Sequence, residues 1–288
     1  MISTLVLIVT ILLSIALSTL IERKLLSLRQ RRKGPETVGS LGLLQPFSDG
    51  LKLLSKKETR WANKFRLILA PLLLILSIFL FWLPLTQSIL KINYGALYLL
   101  AVGSLGGLAT LVVGWCGRSS YSFIGGLRAS AQIISYEVVL SFFFILFCSI
   151  DWGLNTHFFY YFPCRLFFSI AVIYPLWILI ILSETNRAPF DISEGESELV
   201  RGFNTEYSSV LFTMLFVGEY GLIIGYRVLT SYFFFGRTGR ACLVAIVILW
   251  VRACFPRKRY DTLIYMLWVF FFPLILIFLG VGVFSLLT

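Results

Sequence analysis

Two glutamates of this chain stand where an ionised group is costly, and six further acids stand together in a protein that is otherwise basic. Glu137, in AQIISYEVVLSFFF, and Glu219, in FTMLFVGEYGLII, each lie inside an apolar run. The stretch 183–207, SETNRAPFDISEGESELVRGFNTEY, holds Glu184, Asp191, Glu194, Glu196, Glu198 and Glu206, although the whole chain has only 14 Asp and Glu against 25 Lys and Arg. A carboxylate placed in hydrocarbon costs about 2.5–3.5 kcal/mol on insertion scales, so one kept there faces protein or water. It then either exchanges protons or acts as a neutral hydrogen-bonding group that helps helices pack. Carboxyls crowded within a few residues repel one another, and such a set gains or loses protons as a group when a nearby charge changes. Arg187 and Arg201 can offset only part of that repulsion. The bland reading of the stretch is a solvated acidic loop docked on a basic partner.

The elements that position these groups follow from composition. The chain has 288 residues, 58% of them hydrophobic, and a mean hydropathy of +0.89. That is more apolar material than a soluble domain buries. The chain is therefore an integral membrane protein, and an all-α one, because hydrocarbon offers no partner to open backbone groups and no alternating barrel pattern is present. Apolar runs at 2–21, 66–86, 95–116, 130–150, 164–183, 208–232, 239–255 and 263–286 predict a polytopic protein of about eight transmembrane helices. Residues 1–288 form a single transmembrane domain on this reading, with two long inner loops, 22–65 and 184–207. In the first loop, Leu44, Phe47, Leu51 and Leu54 recur at helical spacing after Pro46, which predicts an amphipathic helix lying in the membrane interface. In the second, Ser193 and Glu196 fit the capping box that opens a short helix.

Lys91, Arg165, Arg227, Arg237 and Arg240 fall at the outer ends of these spans, and the other cations fall on the odd-numbered connections. That asymmetry places the odd-numbered loops inside, in the cytoplasm or matrix. It also accounts for the net charge of +11 without nucleic acid, through topology and attraction to anionic lipid. The charges Glu22, Arg23 and Lys24 follow the first apolar run, the order of a first span and not of a cleavable leader. Cys116, Cys148, Cys164, Cys242, Cys254 and the single His157 have no metal-ligand or cluster spacing, so neither zinc nor an iron–sulfur centre is expected in this chain. A secondary ion transporter would explain the intramembrane glutamates but not the acidic loop, and an anchor for peripheral proteins would explain the loops but not the glutamates.

Four segments together resemble one family: ERKLLSLRQRRKGPETVGSLGLLQPFSDGLKLLSKKE, LRASAQIISYE, ETNRAPFDISEGESELVRGFNTEY and RACFPRKRYDTLIYMLW. They are similar to subunit 1 of respiratory complex I, the membrane subunit beside the quinone chamber of proton-pumping NADH:quinone oxidoreductase. The resemblance implies a core membrane subunit that couples quinone reduction to proton translocation and holds no redox centre of its own. FMN and iron–sulfur clusters would belong to partner subunits, ubiquinone would be the substrate, and lipid would coat the surface. Implied partners are the peripheral quinone-site subunits and the small membrane subunits alongside. By the same resemblance Arg23, Arg32, Phe47, Asp191, Phe203 and Arg252 bind quinone. Glu137, Glu184, Glu194, Glu196, Glu198, Glu206 and Glu219 form the proton path. Arg187 and Arg201 compensate charge, and Tyr260 and Asp261 belong to the chamber wall. The sequence departs from the usual pattern at Glu36, at Cys116-Gly117-Arg118, at Arg201 and at Thr59. A membrane-bound hydrogenase or another quinone-linked dehydrogenase would use a similar subunit. The implied site is the mitochondrial inner membrane, with a bacterial plasma membrane as the alternative.

Overall fold

A computed structural model describes residues 2–56, 64–85, 94–151, 167–192, 195, 199–235 and 238–287. Among them there are helices and turns and no strand. The helices are α1 (Ile2–Arg29), α2 (Gln45–Ser55), α3 (Lys64–Leu85), α4 (Gly95–Cys116), α5 (Ser120–Asp151), α6 (Phe167–Glu184), α7 (Ser209–Phe235) and α8 (Ala241–Cys254). The last, α9, runs from Tyr260 to Leu287 through a π-helical turn at Leu267–Phe271. Six of them are long and apolar enough to cross a membrane, namely α1, α3, α4, α5, α7 and α9, so the protein is polytopic as expected.

Of the other two expected spans, α6 holds the apolar helical stretch Ile173–Glu184, and α8 is the shorter apolar helix Ala241–Cys254. With 14 residues, α8 rises only ~21 Å, less than a hydrocarbon core. Its start follows the 3-10 turn Thr238–Arg240, and Pro256 blocks its extension. The first helix differs in the opposite sense. It continues past Glu22 to Arg29, because Leu25, Leu26 and Leu28 carry the apolar period onward. It stops in a Schellman motif, with Arg31 left-handed at φ 54° and the amides of Arg31 and Arg32 donating to Leu28 and Ser27. The helix α2 lies where the spacing of Leu44, Phe47, Leu51 and Leu54 places it, and all four side chains are exposed.

Close backbone approaches set the packing of the bundle. A Cβ on Gly126 of α5 would stand 2.7 Å from the Cα of Gly114 in α4, and one on Gly125 would stand 2.7 Å from the Cα of Gly202. Glycine at these places lets α4 touch α5 and lets the turn Gly202–Asn204 rest on α5. On α7, Gly218, Gly221 and Gly225 share one face and receive Leu74, Ile78 and Phe81 of α3. Trp177 of α6, fully buried, meets Phe143, Phe144 and Phe147 of α5 and Phe233 of α7 at ring distances of 5.3–6.2 Å. Edge-on aromatic contacts of this kind fill the core where the sequence is Phe-rich.

Gly126→Ala drives a methyl into backbone that cannot move aside, so overpacking of about 1–3 kcal/mol is expected. The denaturation temperature of the purified assembly and the amount of this chain recovered in it should both fall.

Candidate functional site

The helix α6 ends in a second Schellman motif, and that ending aims the first functional side chain. Asn186 takes the left-handed conformation at φ 49°, a position that suits asparagine. Its amide donates to Ser183 at 3.2 Å and that of Arg187 donates to Leu182 at 3.0 Å. The chain then turns back under the bundle. Gln132 of α5, fully buried, secures this reversal by donating its carboxamide to the carbonyls of Ser183 at 2.7 Å and Phe190 at 3.0 Å. The returning chain is held again at Ser122, whose hydroxyl donates to Gly114 at 3.0 Å and lies 3.4 Å from the Phe203 carbonyl. Tyr207 closes the loop by donating to Val113 at 2.8 Å, and burial pushes its phenol above the usual tyrosine range.

Arg187, buried at the turn, meets Glu219 of α7 at 3.6 Å and lies over the Tyr220 ring at 4.6 Å. Asn204 donates to the other oxygen of Glu219 at 3.3 Å. Asp191, half-buried, acts electrostatically on Glu219 as well. Behind this pair is a cavity of about 40 Å³ whose wall includes Glu184, Glu219, Tyr226, Phe203, Thr110 and Asn186. Glu184 is buried, one of its oxygens has no partner among the described residues, and the Tyr226 phenol and the Glu137 carboxyl stand near it. Two acids thus face one small, largely apolar cavity with room for about three waters, at ~10–15 Å³ for each water centre.

A second charge centre lies between α1, α7 and α8. Glu22 accepts from the Tyr220 hydroxyl at 3.0 Å on one oxygen and from Arg252 on the other. Tyr220 carries the two centres on its two sides, since its ring is under Arg187 and its hydroxyl is on Glu22. At the rim, Arg23 bridges to Asp49 of α2 at 2.7 Å, and Gln45 donates to the same carboxylate at 3.1 Å, which fastens α2 to the end of α1.

The comparisons with known proteins fit this architecture. A family model described as NADH dehydrogenase matches residues 2–283. The chain belongs to the NADH dehydrogenase family. The NADH-ubiquinone oxidoreductase chain 1 of Lampetra fluviatilis is 41% identical over 295 residues, covering 94% of this chain and 91% of that protein. The proteins of the same description from Balaenoptera physalus and Aedes aegypti are 40% and 38% identical, covering 96% and 99% of this chain and 93% and 97% of theirs.

Among the residues singled out in the sequence of this family member, Glu184, Glu219 and Phe203 line the cavity, Arg187 contacts Glu219 from outside its wall, and Glu137 and Asp191 act on Glu184 and Glu219. Arg252 belongs instead to the Glu22 centre. Arg23 and Phe47 sit on the exposed rim, and Arg32, also exposed, donates to Gln30 at 2.7 Å. Arg201 is exposed before the Gly202–Asn204 turn and Glu206 is half-buried near Gly117, so neither joins the cavity wall. Tyr260 packs on the core and Asp261 is exposed in the first turn of α9. Glu194, Glu196 and Glu198, the Ser193 cap and His157 lie outside the described residues. Among the described residues there is no group of three or more His, Cys, Asp or Glu that could hold a metal.

Four functional candidates carry no flag in the sequence reading: Glu22, Tyr220, Tyr226 and Gln132. Glu22 reads as the charge that ends a span, yet the apolar period beyond it signals that the helix continues. Arg227, read as an outer flank, is buried within α7. The polar residues have no periodic signal, since a single tyrosine or glutamine in an apolar helix looks like any other.

Removing one partner of a buried ion pair strands the other charge, at about 3–5 kcal/mol. Arg252→Gln should therefore lower the denaturation temperature of the assembly more than the double change Glu22→Gln with Arg252→Gln, a comparison that thermal melting of both variants settles.

Proposed function

We propose that this chain is the core membrane subunit of proton-pumping NADH:ubiquinone oxidoreductase that walls the quinone chamber and passes the effect of quinone reduction to titratable groups in the membrane. The observation that carries the reading is the cavity shared by Glu184 and Glu219, with Arg187 of the loop 184–207 in contact with Glu219. Relatives 38–41% identical bear the name of that enzyme's chain 1, which favours it over a hydrogenase subunit of similar pattern.

Electrons come from flavin and iron–sulfur centres in partner subunits, and ubiquinone is the substrate reached through this chain. Its route runs from the membrane past the rim of Arg23, Phe47 and α2 to the loop residues Asp191 and Phe203, with Arg32, Arg252, Tyr260 and Asp261 along the walls. Reduction of quinone to quinol draws in two protons and passes through a state richer in negative charge. Arg187 is the group that feels this charge first. Its contact with Glu219, at 3.6 Å, is longer than a direct hydrogen bond, so the guanidinium can swing toward the chamber at small cost. Glu219 then loses its cation and keeps the Asn204 donor, which favours uptake of a proton through the cavity from Glu184. Glu137 lies next in line, within the field of Glu184. Glu194, Glu196, Glu198 and Glu206 feed the path from the chamber side, and Arg201 balances their charge.

The subunit sits in the mitochondrial inner membrane with its odd-numbered loops toward the matrix, between peripheral quinone-site subunits and small membrane subunits, and with lipid on its outward leucines.

Glu219→Gln keeps the shape and the hydrogen bond but removes the titration. NADH:ubiquinone turnover of the assembled enzyme should drop by roughly 10-fold or more, while NADH oxidation by an artificial acceptor that bypasses quinone stays at the wild-type rate. Unchanged quinone turnover and unchanged proton pumping in this variant would sink the reading.

A further inference from the structure

Arg227 takes no part in the path just described. It lies in the C-terminal half of α7 with 7% of its surface exposed, and its Nε has no acceptor among the described residues. An arginine buried in a membrane helix without a close carboxylate is costly, and it implies a partner on the protein side. Position names that partner. Residues 220 and 227 are two turns apart, so Arg227 shares the face of α7 that carries Tyr220 and Ile223 and packs on Ile11 and Ile15 of α1. Helical side chains lean toward the N-terminal end of their helix, which for Arg227 is the end bearing Tyr220 and its Glu22 contact. Among the groups acting on the guanidinium Glu22 is the strongest, followed by Tyr220, Arg187 and Arg252.

We propose that Arg227 is a positioning residue for Glu22, a second cation on α7 that draws the carboxylate toward Tyr220 and takes it over when the Arg252 contact opens. Glu22 has one oxygen on Tyr220 and the other on Arg252, and a carboxylate accepts further hydrogen bonds beyond two. Exchange between the two arginines needs no proton transfer, because the net charge of Glu22, Arg227 and Arg252 is the same in both arrangements. Its consequence is mechanical. With Arg252 engaged, α1 is tied to α8; with Arg227 engaged, α1 is tied to α7 alone. The exchange therefore sets the spacing of α1 against its neighbours at the side where the proposed function admits the quinone, and the inference rests on that reading for its effect on the substrate.

The test uses the assembled enzyme with Arg227→Gln, Arg227→Lys, Glu22→Gln and the double variant Glu22→Gln/Arg227→Gln. Arg227→Gln should raise KM for a long-tailed quinone by roughly 5- to 10-fold, the size of a coupling between neighbouring charged groups, with kcat nearly kept. Arg227→Lys should restore most of the loss, which a purely packing role would not allow. In the Glu22→Gln background the Arg227→Gln change should add nothing further. A normal KM in Arg227→Gln, a Lys variant as impaired as Gln, or a full additional loss in the double variant overturns the proposal. Should Arg227→Gln fail to assemble, recovery of assembly in the double variant supports it and continued failure overturns it. A normal quinone KM in Glu22→Gln alone would instead overturn the route past α1. The Glu22–Arg227 coupling is then read from melting temperatures, where non-additive losses support it and additive losses overturn it.

Discussion

Buried backbone carbonyls at the C-terminal end of α6 and in the chain that follows it must find donors inside the protein, and most of the site depends on how they do so. Hydrocarbon gives no hydrogen bond, and a buried carbonyl left alone forfeits about 1–3 kcal/mol. Gln132 answers for one of each, Ser183 and Phe190, from a neighbouring helix. Because one carboxamide spans both carbonyls, it fixes the distance between the end of α6 and the chain that doubles back from it. Arg187 lies between those two anchors. The direction of its side chain toward Glu219 thus follows from backbone satisfaction, not from attraction between charges alone. The same need explains why Ser122 and Tyr207 reach carbonyls of other elements. Each such bond pins non-helical chain where open backbone would not be tolerated.

The two charge centres meet low dielectric in different ways. Glu22 has both oxygens occupied, by a phenol and by a guanidinium, so that it ties α1 to α7 and α8 at once. Glu219 and Glu184 are held less completely. The first has a cation at 3.6 Å and an amide at 3.3 Å, and the second keeps an oxygen without a partner among the described residues beside the cavity. A carboxyl held by few donors changes protonation more readily than one held by several. The proposed function accordingly places the proton chemistry on Glu184 and Glu219 and leaves to Glu22 the tie between helices.

How much of this was legible in the sequence depended on whether a residue belonged to a pattern. Apolar periods longer than 20 residues announce spans, so the helices α1, α3, α4, α5, α7 and α9 were readable. The amphipathic α2 was readable from Leu44, Phe47, Leu51 and Leu54. The intramembrane Glu219 was readable because a lone charge in an apolar run stands out. Arg227 has the same property, yet a count of cations by side of the membrane assigns it to a flank, since such a count registers charge and not burial. Gln132 and Tyr220 stay hidden for another reason. Their partners are 51 and 198 residues away, and no local spacing encodes a contact of that range. The shortness of α8 was masked by composition, because 241–251 is an unbroken apolar run while helix length is set by the turn before it and the proline after it.

Arg187 joins the two centres, and the strength of its contacts argues for the direction in which a disturbance travels. Its guanidinium lies over the Tyr220 ring at 4.6 Å while it faces Glu219 at 3.6 Å. A cation over an aromatic face gains about 0.5–2 kcal/mol and keeps that contact while it slides across the ring. In the proposed function the guanidinium moves toward a new negative charge and away from Glu219, and the attraction between the two weakens as their separation grows. The ring contact with Tyr220 survives a short slide, and the Tyr220 hydroxyl stays on Glu22. The geometry thus gives Arg187 two unlike contacts, a carboxylate it can leave and a ring it can keep, and Tyr220 joins the second of them to the Glu22 centre.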